Sequence, residues 1–476
     1  MACSRIIIIT MPAKKFIVPS IGFALFAIVF FRFVLMGWFA LNRAEAELAA
    51  RNYASAAESF EQAARLLIWR DDLWERAAIA AAQDNDPLHA IALFKKTSTL
   101  SEEGWIWLGS SHLSLGDTEA AIAVLNKGLQ YFDSSALYSL LAAAYRAQKD
   151  WAAERNALEN QLRLDIKRAD VYTYYRLGLL LTVLDPEQAL TNLMFSASLD
   201  PEFDPAVQTL RAALNLSSTQ PDASQQMVTI GRALGLVQEW DLAIAAFEEA
   251  IVIDRENAEA WAWLGEAKQQ TGGGGLAELD RAVALDHTSV VVRALRGLYW
   301  DRQKKYPQML AEYLLAARYE PANPAWQAEL GNVHVKRGDL VSALAAYQHA
   351  AELAPNESTY WSLLAVFCAE NGVDLENVGL PAAQKAVQIS PDDPSALDAL
   401  GWAYLSSGRY ASADQVLSGA VKRFPDHWPL HIHLAMTYLA QGNRAAAFDT
   451  LLHVQNSDPG GANGGMAEQL LEQYFP

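Results

Sequence analysis

The sequence predicts an all-α chain, a solenoid of stacked helical hairpins, and three observations carry that prediction. First, Leu397, Leu400, Gly401 and Tyr404 mark one helix, Gly408 breaks the chain, Tyr410, Ala413, Leu417 and Ala420 mark a second, and Pro425 ends the unit. Second, the same order of small and large residues recurs, with drift, across residues 41–461. Third, no segment is left over for a separate globular domain. The spacing has a physical reason: Gly401 and Ala420 fall where two antiparallel helices cross and only a small side chain lets the backbones approach, while Leu397, Tyr404 and Leu417 fill the space beside the crossing. One hairpin cannot bury its own apolar face, so neighbours must stack.

The amino terminus precedes this pattern. From Phe16 to Ala40 the chain is almost wholly apolar, interrupted by Pro19, Ser20 and Arg32. A helix of that length, at about 1.5 Å per residue, exceeds the roughly 30 Å of a hydrocarbon core. Residues 16–41 are therefore expected to be a transmembrane signal-anchor helix. Arg5, Lys14 and Lys15 precede it, which places residues 1–15 in the cytoplasm and the repeats on the extracytoplasmic side, in the cell envelope. Arg32 lies past the middle of the span and can snorkel outward. A cleaved signal peptide is the alternative, but Ala44-Glu45-Ala46, its one cleavage-like site, would cost half of the first repeat's opening helix. Met11 is a second possible start.

The first hairpin begins without a linker, on Leu41, Ala44, Leu48, Tyr53, Ala56, Phe60 and Ala63. Trp74, Ala78, Ala90 and Phe94 carry the second; Trp105, Gly109, Gly116, Ala121 and Leu125 the third; Tyr138, Leu141, Ala142 and Leu158 a degenerate fourth; Tyr174, Gly178, Ala189 and Pro201 the fifth. The pattern then fails over 203–223, which offers one helix, roughly Asp204 to Leu216, and a polar stretch, so 41–202 and 224–461 are expected to be two arrays joined there. The second array is marked by Gly231, Gly265, Gly297, Gly331, Ala365, Gly401 and Ala435. Two extra residues lie near Asn377-Val378-Gly379. Residues 462–476, with a helix at Met466–Tyr474, suit a cap through Leu470, Leu471 and Tyr474.

This pattern resembles the tetratricopeptide repeat (TPR), a helical hairpin of about 34 residues. The resemblance implies a right-handed α-solenoid of about twelve hairpins, a non-catalytic role in holding a protein or peptide partner, and no cofactor. It also implies a concave groove lined by first-helix positions, which here are Tyr175, Leu298, Asp301, Arg302, Asn332, Val335, Lys336, Trp402, Leu405 and Met436. Trp402, a large aromatic in a groove, is the expected anchor. Asn332 and Lys336 with Arg302 resemble part of the family's clamp for a peptide carboxylate, although adjoining repeats lack its other members.

Composition narrows the function further. The chain holds 37 Lys+Arg against 55 Asp+Glu, a net charge of −18 over 476 residues, so a phosphate backbone is repelled and nucleic acid is disfavoured as a partner. Cys3 and Cys368, its two cysteines, suggest no disulfide. Gly272-Gly273-Gly274-Gly275 reads as an inter-helix turn, because a phosphate-binding loop needs a strand before it. His427, His431 and His433 could in principle serve a metal-dependent hydrolase, yet His431 falls where other repeats hold a core Trp. Trp74, Trp105, Trp261 and Trp361 occupy that same position, which makes them core and not a sugar platform. The expected function is a membrane-anchored scaffold for protein–protein interaction. The alternatives are an accessory component of surface-polysaccharide synthesis or export, which rests on analogy, and the hydrolase.

Overall fold

A computed structural model describes residues 17–164 and 170–476, with side chains described from Phe30 onward. The chain divides into two compact units, Met1–Leu216 and Ser217–Pro476. The first holds α1 (Ile17–Ala49), α2 (Tyr53–Leu66), α3 (Asp72–Gln83), α4 (Pro87–Phe94), α5 (Glu102–Ser114), α6 (Thr118–Leu129), α7 (Ser135–Gln148), α8 (Trp151–Leu164), α9 (Val171–Leu184) and α10 (Pro186–Leu199). A short 3-10 turn, Pro201–Phe203, leads into α11 (Asp204–Ser218), which carries the chain past the division.

The second unit continues with α12 (Ala223–Leu236), α13 (Trp240–Ile253), α14 (Ala258–Gln270), α15 (Leu276–Leu285), α16 (Val290–Arg302), α17 (Tyr306–Tyr319), α18 (Pro324–Lys336) and α19 (Leu340–Leu353). It ends with α20 (Ser358–Asn371), α21 (Leu380–Ile389), α22 (Pro394–Ser406), α23 (Tyr410–Arg423), α24 (Trp428–Ala440), α25 (Arg444–Ser457) and α26 (Ala462–Tyr474). Many of these helices start where the sequence supplies a cap. Asn257, Asn323, Asp339 and Asp393 accept backbone N–H groups of the first turn, and Pro324 and Pro394 occupy first-turn positions that need no N–H partner.

Within each unit a helix packs on the next as an antiparallel hairpin. First helices of successive hairpins also touch: α12, α14 and α16 in series, and α18, α20, α22, α24 and α26 in series. Each series lines one side of its stretch of the stack. Small residues do sit at the crossings. A Cβ on Gly401 would stand 2.3 Å from Leu417 Cδ2, and one on Gly297 would stand 2.1 Å from Tyr313 Cε1, so neither position accepts a side chain without displacing a buried neighbour. The break at Gly408 has φ +74°, the left-handed conformation that favours glycine.

Three departures from the sequence reading have local causes. The first hairpin closes earlier than residue 41: α1 runs unbroken from Ile17 to Ala49, and Val34 and Gly37 within the expected span already pack against α2 and Leu67. The extra residues near Asn377 are absorbed as a π-helical turn, Leu375–Gly379, which brings Gly379 against buried Cys368. The terminal helix begins at Ala462 because Asp458 Oδ2 accepts the N–H groups of Asn463 and Gly464, each at 3.1 Å. In the cap, Leu470 and Leu471 pack inward with Phe475, whereas Tyr474 is exposed.

Among the described residues no helix is long and apolar enough to cross a membrane. Phe16 and the side chains of 17–29, where the expected anchor begins, lie outside the described residues. The described part of α1 leaves Phe30, Phe31, Phe33, Met36, Trp38 and Phe39 exposed.

Candidate functional site

The first-helix side of the second unit carries two adjoining clefts. The first, of about 350 Å³, lies over α16, α18 and α20. Leu298, Val335, Leu363, Val366 and Phe367 give it apolar walls, Tyr313 and Tyr347 lie deeper, and Asp301, Glu329, Lys336 and Glu370 bring charge. The second, of about 490 Å³, shares Leu363 and Val366 and continues over α22 and α24 to Ser362, Asp398 and His427. It arises because the first helices follow one another in contact while their second helices stand behind them.

The first cleft is acidic. Lys336 Nζ lies 2.6 Å from both carboxylate oxygens of Asp301, which neutralises that pair. Glu329 receives an amide N–H from Asn332 at 3.3 Å, and Glu370 has no cationic partner among the described residues. Two carboxylates are thus left to set the sign of the potential. Burial, followed by the charges of Glu329 and Glu370, pushes the Tyr347 phenol up to about 12, and burial with Glu329 and Asp301 raises Tyr313 as well.

The expected carboxylate clamp is not assembled. Lys336 is held by Asp301, Arg302 donates to both oxygens of Glu266 at 2.7 and 2.6 Å, and Asn332 Oδ1 accepts the Tyr347 hydroxyl. A cation already paired with carboxylates one hairpin away has little left for a ligand's carboxylate. Of the ten expected groove residues, the structure brings Leu298, Asp301, Asn332, Val335 and Lys336 into one cleft. Trp402 is half-buried and stacked on the His433 ring, with centroids 4.3 Å apart. Leu405 and Met436 are half-buried against the clusters of Leu417 and Leu451. Tyr175, in the first unit, packs on Phe203 at 4.5 Å.

His427, His431 and His433 do not converge on a metal site; among the described residues no group of three ligating side chains does. His431 and His433 are two apart on α24 and so face different ways, while His427 precedes the helix. His433 Nδ1 meets Asp398 Oδ1 at 2.7 Å. His431 Nε2 meets the Pro425 carbonyl, six residues back, at 2.9 Å. Trp261 and Trp361 donate their indole N–H to the carbonyls of Arg255 and Pro355, again six residues back. The imidazole therefore stands in for an indole as a tie between helix and preceding loop. Burial holds its pKa below the ordinary value, so the neutral ring is favoured. At the glycine run, a Cβ on Gly275 would stand 2.1 Å from the Gly265 carbonyl, a tight turn between α14 and α15.

Sequence reasoning missed Glu329 and Glu370, whose only signal was charge at first-helix positions. It also missed that Ser362 Oγ, His427 Nδ1 and Trp402 Nε1 are buried without a hydrogen bond.

Family models of the tetratricopeptide repeat match residues 102–132, 231–272, 301–358, 329–394 and 404–471. The chain therefore carries tetratricopeptide repeats, a fold that serves as a scaffold for protein–protein interaction. A TPR repeat-containing protein of Pseudomonas aeruginosa is 44% identical over 43 residues, 9% of this chain and 7% of that one. Superkiller complex protein 3 of Mus musculus is 22% identical over 331 residues, covering 64% of this chain and 19% of its own. The human protein of that name is 22% identical over 315 residues, 61% and 18%. The chain spans less than a fifth of the length of the curated relatives it matches. Among solved structures, yeast Tom70 is 13% identical with TM-score 0.41, covering 92% of this chain and 94% of that one. YrrB, described as a TPR protein with an unusual peptide-binding site, is 23% identical with TM-score 0.31, covering 39% and 95%.

Proposed function

We propose that this chain is a non-catalytic scaffold that holds an extended, basic segment of a partner protein on the first-helix side of its second unit. One observation carries the reading: two adjoining clefts run over successive first helices, apolar along Leu298, Leu363 and Val366 and acidic at Glu329 and Glu370. Apolar side chains of the segment lie on those walls and a Lys or Arg side chain meets the two carboxylates. The Ser362 hydroxyl, on the lining of the second cleft, makes no hydrogen bond of its own and can take one from the segment's backbone. The scaffold is tethered through residues 16–41 with its repeats in the cell envelope, a reading that rests on the basic residues before the apolar stretch.

Fluorescence anisotropy with a library of extended peptides tests the groove. Lys- and Arg-containing peptides bind, Glu-containing isomers do not, and Glu329→Lys with Glu370→Lys weakens binding by roughly 1–2 kcal/mol. A preference for acidic peptides overturns the reading. A reporter active only outside the cytoplasm, fused after Pro476, tests the tether and is expected to be on. Reporter activity in the cytoplasm overturns the topology.

A further inference from the structure

A separate cavity of about 480 Å³ lies in the first unit, between α4, α5 and α6, and has a structural cause. Second helices of hairpins run to 14 residues in α2, α8 and α10, but α4 stops after 8, at Phe94. The chain from Lys95 to Leu100 then crosses as a loop, and the space that further turns of helix would fill stays open. Gly128 shapes the opposite wall: a Cβ there would stand 3.0 Å from Trp105 Cβ, so α6 comes in close against that indole.

The chemistry of the lining points one way. Phe94, Leu108, Trp105 and Val124 make an apolar interior, with the Tyr131 ring parallel to Trp105 within 8°. Lys95 and Lys127 stand on the lining, both exposed, and neither has a carboxylate partner among the described residues. Lys127 Nζ lies 5.5 Å from the Trp105 ring centroid. The neighbouring Lys96, by contrast, is held by Glu61 at 3.1 Å. Deeper in, His112 Nδ1 is buried without a hydrogen bond, 3.4 Å from Asp117 Oδ2. Two unpaired ammonium groups over an apolar cavity are unexpected in a chain of net charge −18, where carboxylates outnumber cations. Ligand pockets of small molecules have this size and this mix of apolar walls and a few convergent polar groups.

We propose that this cavity binds a free amphipathic carboxylate, with its alkyl or aryl body against Phe94, Leu108 and Trp105 and its carboxylate between Lys95 and Lys127. The site is remote in sequence from the acidic clefts of the second unit and prefers the opposite charge, so the two readings stand or fall apart.

Calorimetry on the full chain with octanoate, octan-1-ol and octylamine tests it. Octanoate binds at one site, while octan-1-ol and octylamine bind more weakly by about tenfold or more. Lys95→Glu with Lys127→Glu, both at exposed positions, lowers octanoate affinity by about tenfold or more and leaves the circular dichroism and melting curve unchanged. Absence of octanoate binding, equal binding of octylamine or octan-1-ol, or full affinity in the double variant would each overturn the proposal.

Discussion

Replacing Gly401 by Ala isolates the close crossing on which the whole stack depends. A Cβ at residue 401 would lie 2.3 Å from Leu417 Cδ2 and 2.4 Å from its Cγ, whereas carbon atoms rest at about 3.5–4.0 Å. Leu417 is fully buried among Leu397, Ala413, Ala420, Leu430 and Leu434, so it cannot swing aside and α22 must move off α23. Overpacking of this kind costs about 1–3 kcal/mol. Ala also gains roughly 0.5–1 kcal/mol over Gly from helix propensity, which would mask part of that cost. Gly419 supplies the correction, because it too is helical, in α23, and a Cβ there meets nothing within 4 Å. Gly419→Ala should stabilise by the propensity gain alone. The difference between the two variants then cancels propensity and leaves the overpacking cost of about 1–3 kcal/mol. Hydrogen exchange read by mass spectrometry on peptides from α22 and α23 measures both locally, as a stack of hairpins requires. If Gly401→Ala protects those helices as well as Gly419→Ala does, the close-crossing account is wrong.

Two further outcomes follow from buried polar groups. Burial lowers the His431 pKa in the folded state, so the stability it contributes is present above the unfolded value of about 6.5 and is lost as pH falls from there through the lowered folded value. Urea midpoints between pH 8 and pH 5 should fall with acid, and His431→Trp, which keeps an N–H for the Pro425 carbonyl, should flatten that slope; equal slopes would remove His431 as the cause. Glu154 is fully buried and accepts from Arg176 at 2.8 and 2.9 Å and from Arg146 at 2.8 Å. Glu154→Gln should destabilise α7–α9 by about 3–5 kcal/mol, a wild-type melt would refute the buried pair, and a second change of Arg176→Met should restore part of the loss.

The hairpins were legible because their signal is steric. Gly401, Gly297 and Gly331 face a buried large residue wherever the template puts a small one, and no other chemistry competes at that point. The site was legible only as positions. Leu298, Asn332 and Lys336 reach the cleft as their first-helix register requires, but charge pairing across hairpins cannot be read from one helix at a time. Lys336 looked available until Asp301, 35 residues earlier, came into range, and Arg302 until Glu266 did. Trp402 shows a related difficulty: its register is that of a groove residue, yet a flat ring one hairpin on, His433, covers it. The cavity beside α4 left no motif at all, since its cause is a helix that stops early.

Three ion pairs and one histidine–carboxylate contact between hairpins of the second unit share one reach. Arg302 joins Glu266 across 36 residues, Lys336 joins Asp301 across 35, His433 joins Asp398 across 35, and Arg409 joins Glu376 across 33. Each is about one repeat, so these bonds act as rungs between adjacent hairpins and not as ropes across the stack. Under tension from its ends the second unit resembles a row of clasps loaded in turn: each rung bears the pull only until its own hairpin opens. An optical trap should accordingly record a staircase of small extensions at low force instead of one abrupt rupture, and raised salt should lower the steps, because these clasps are fastened by charge.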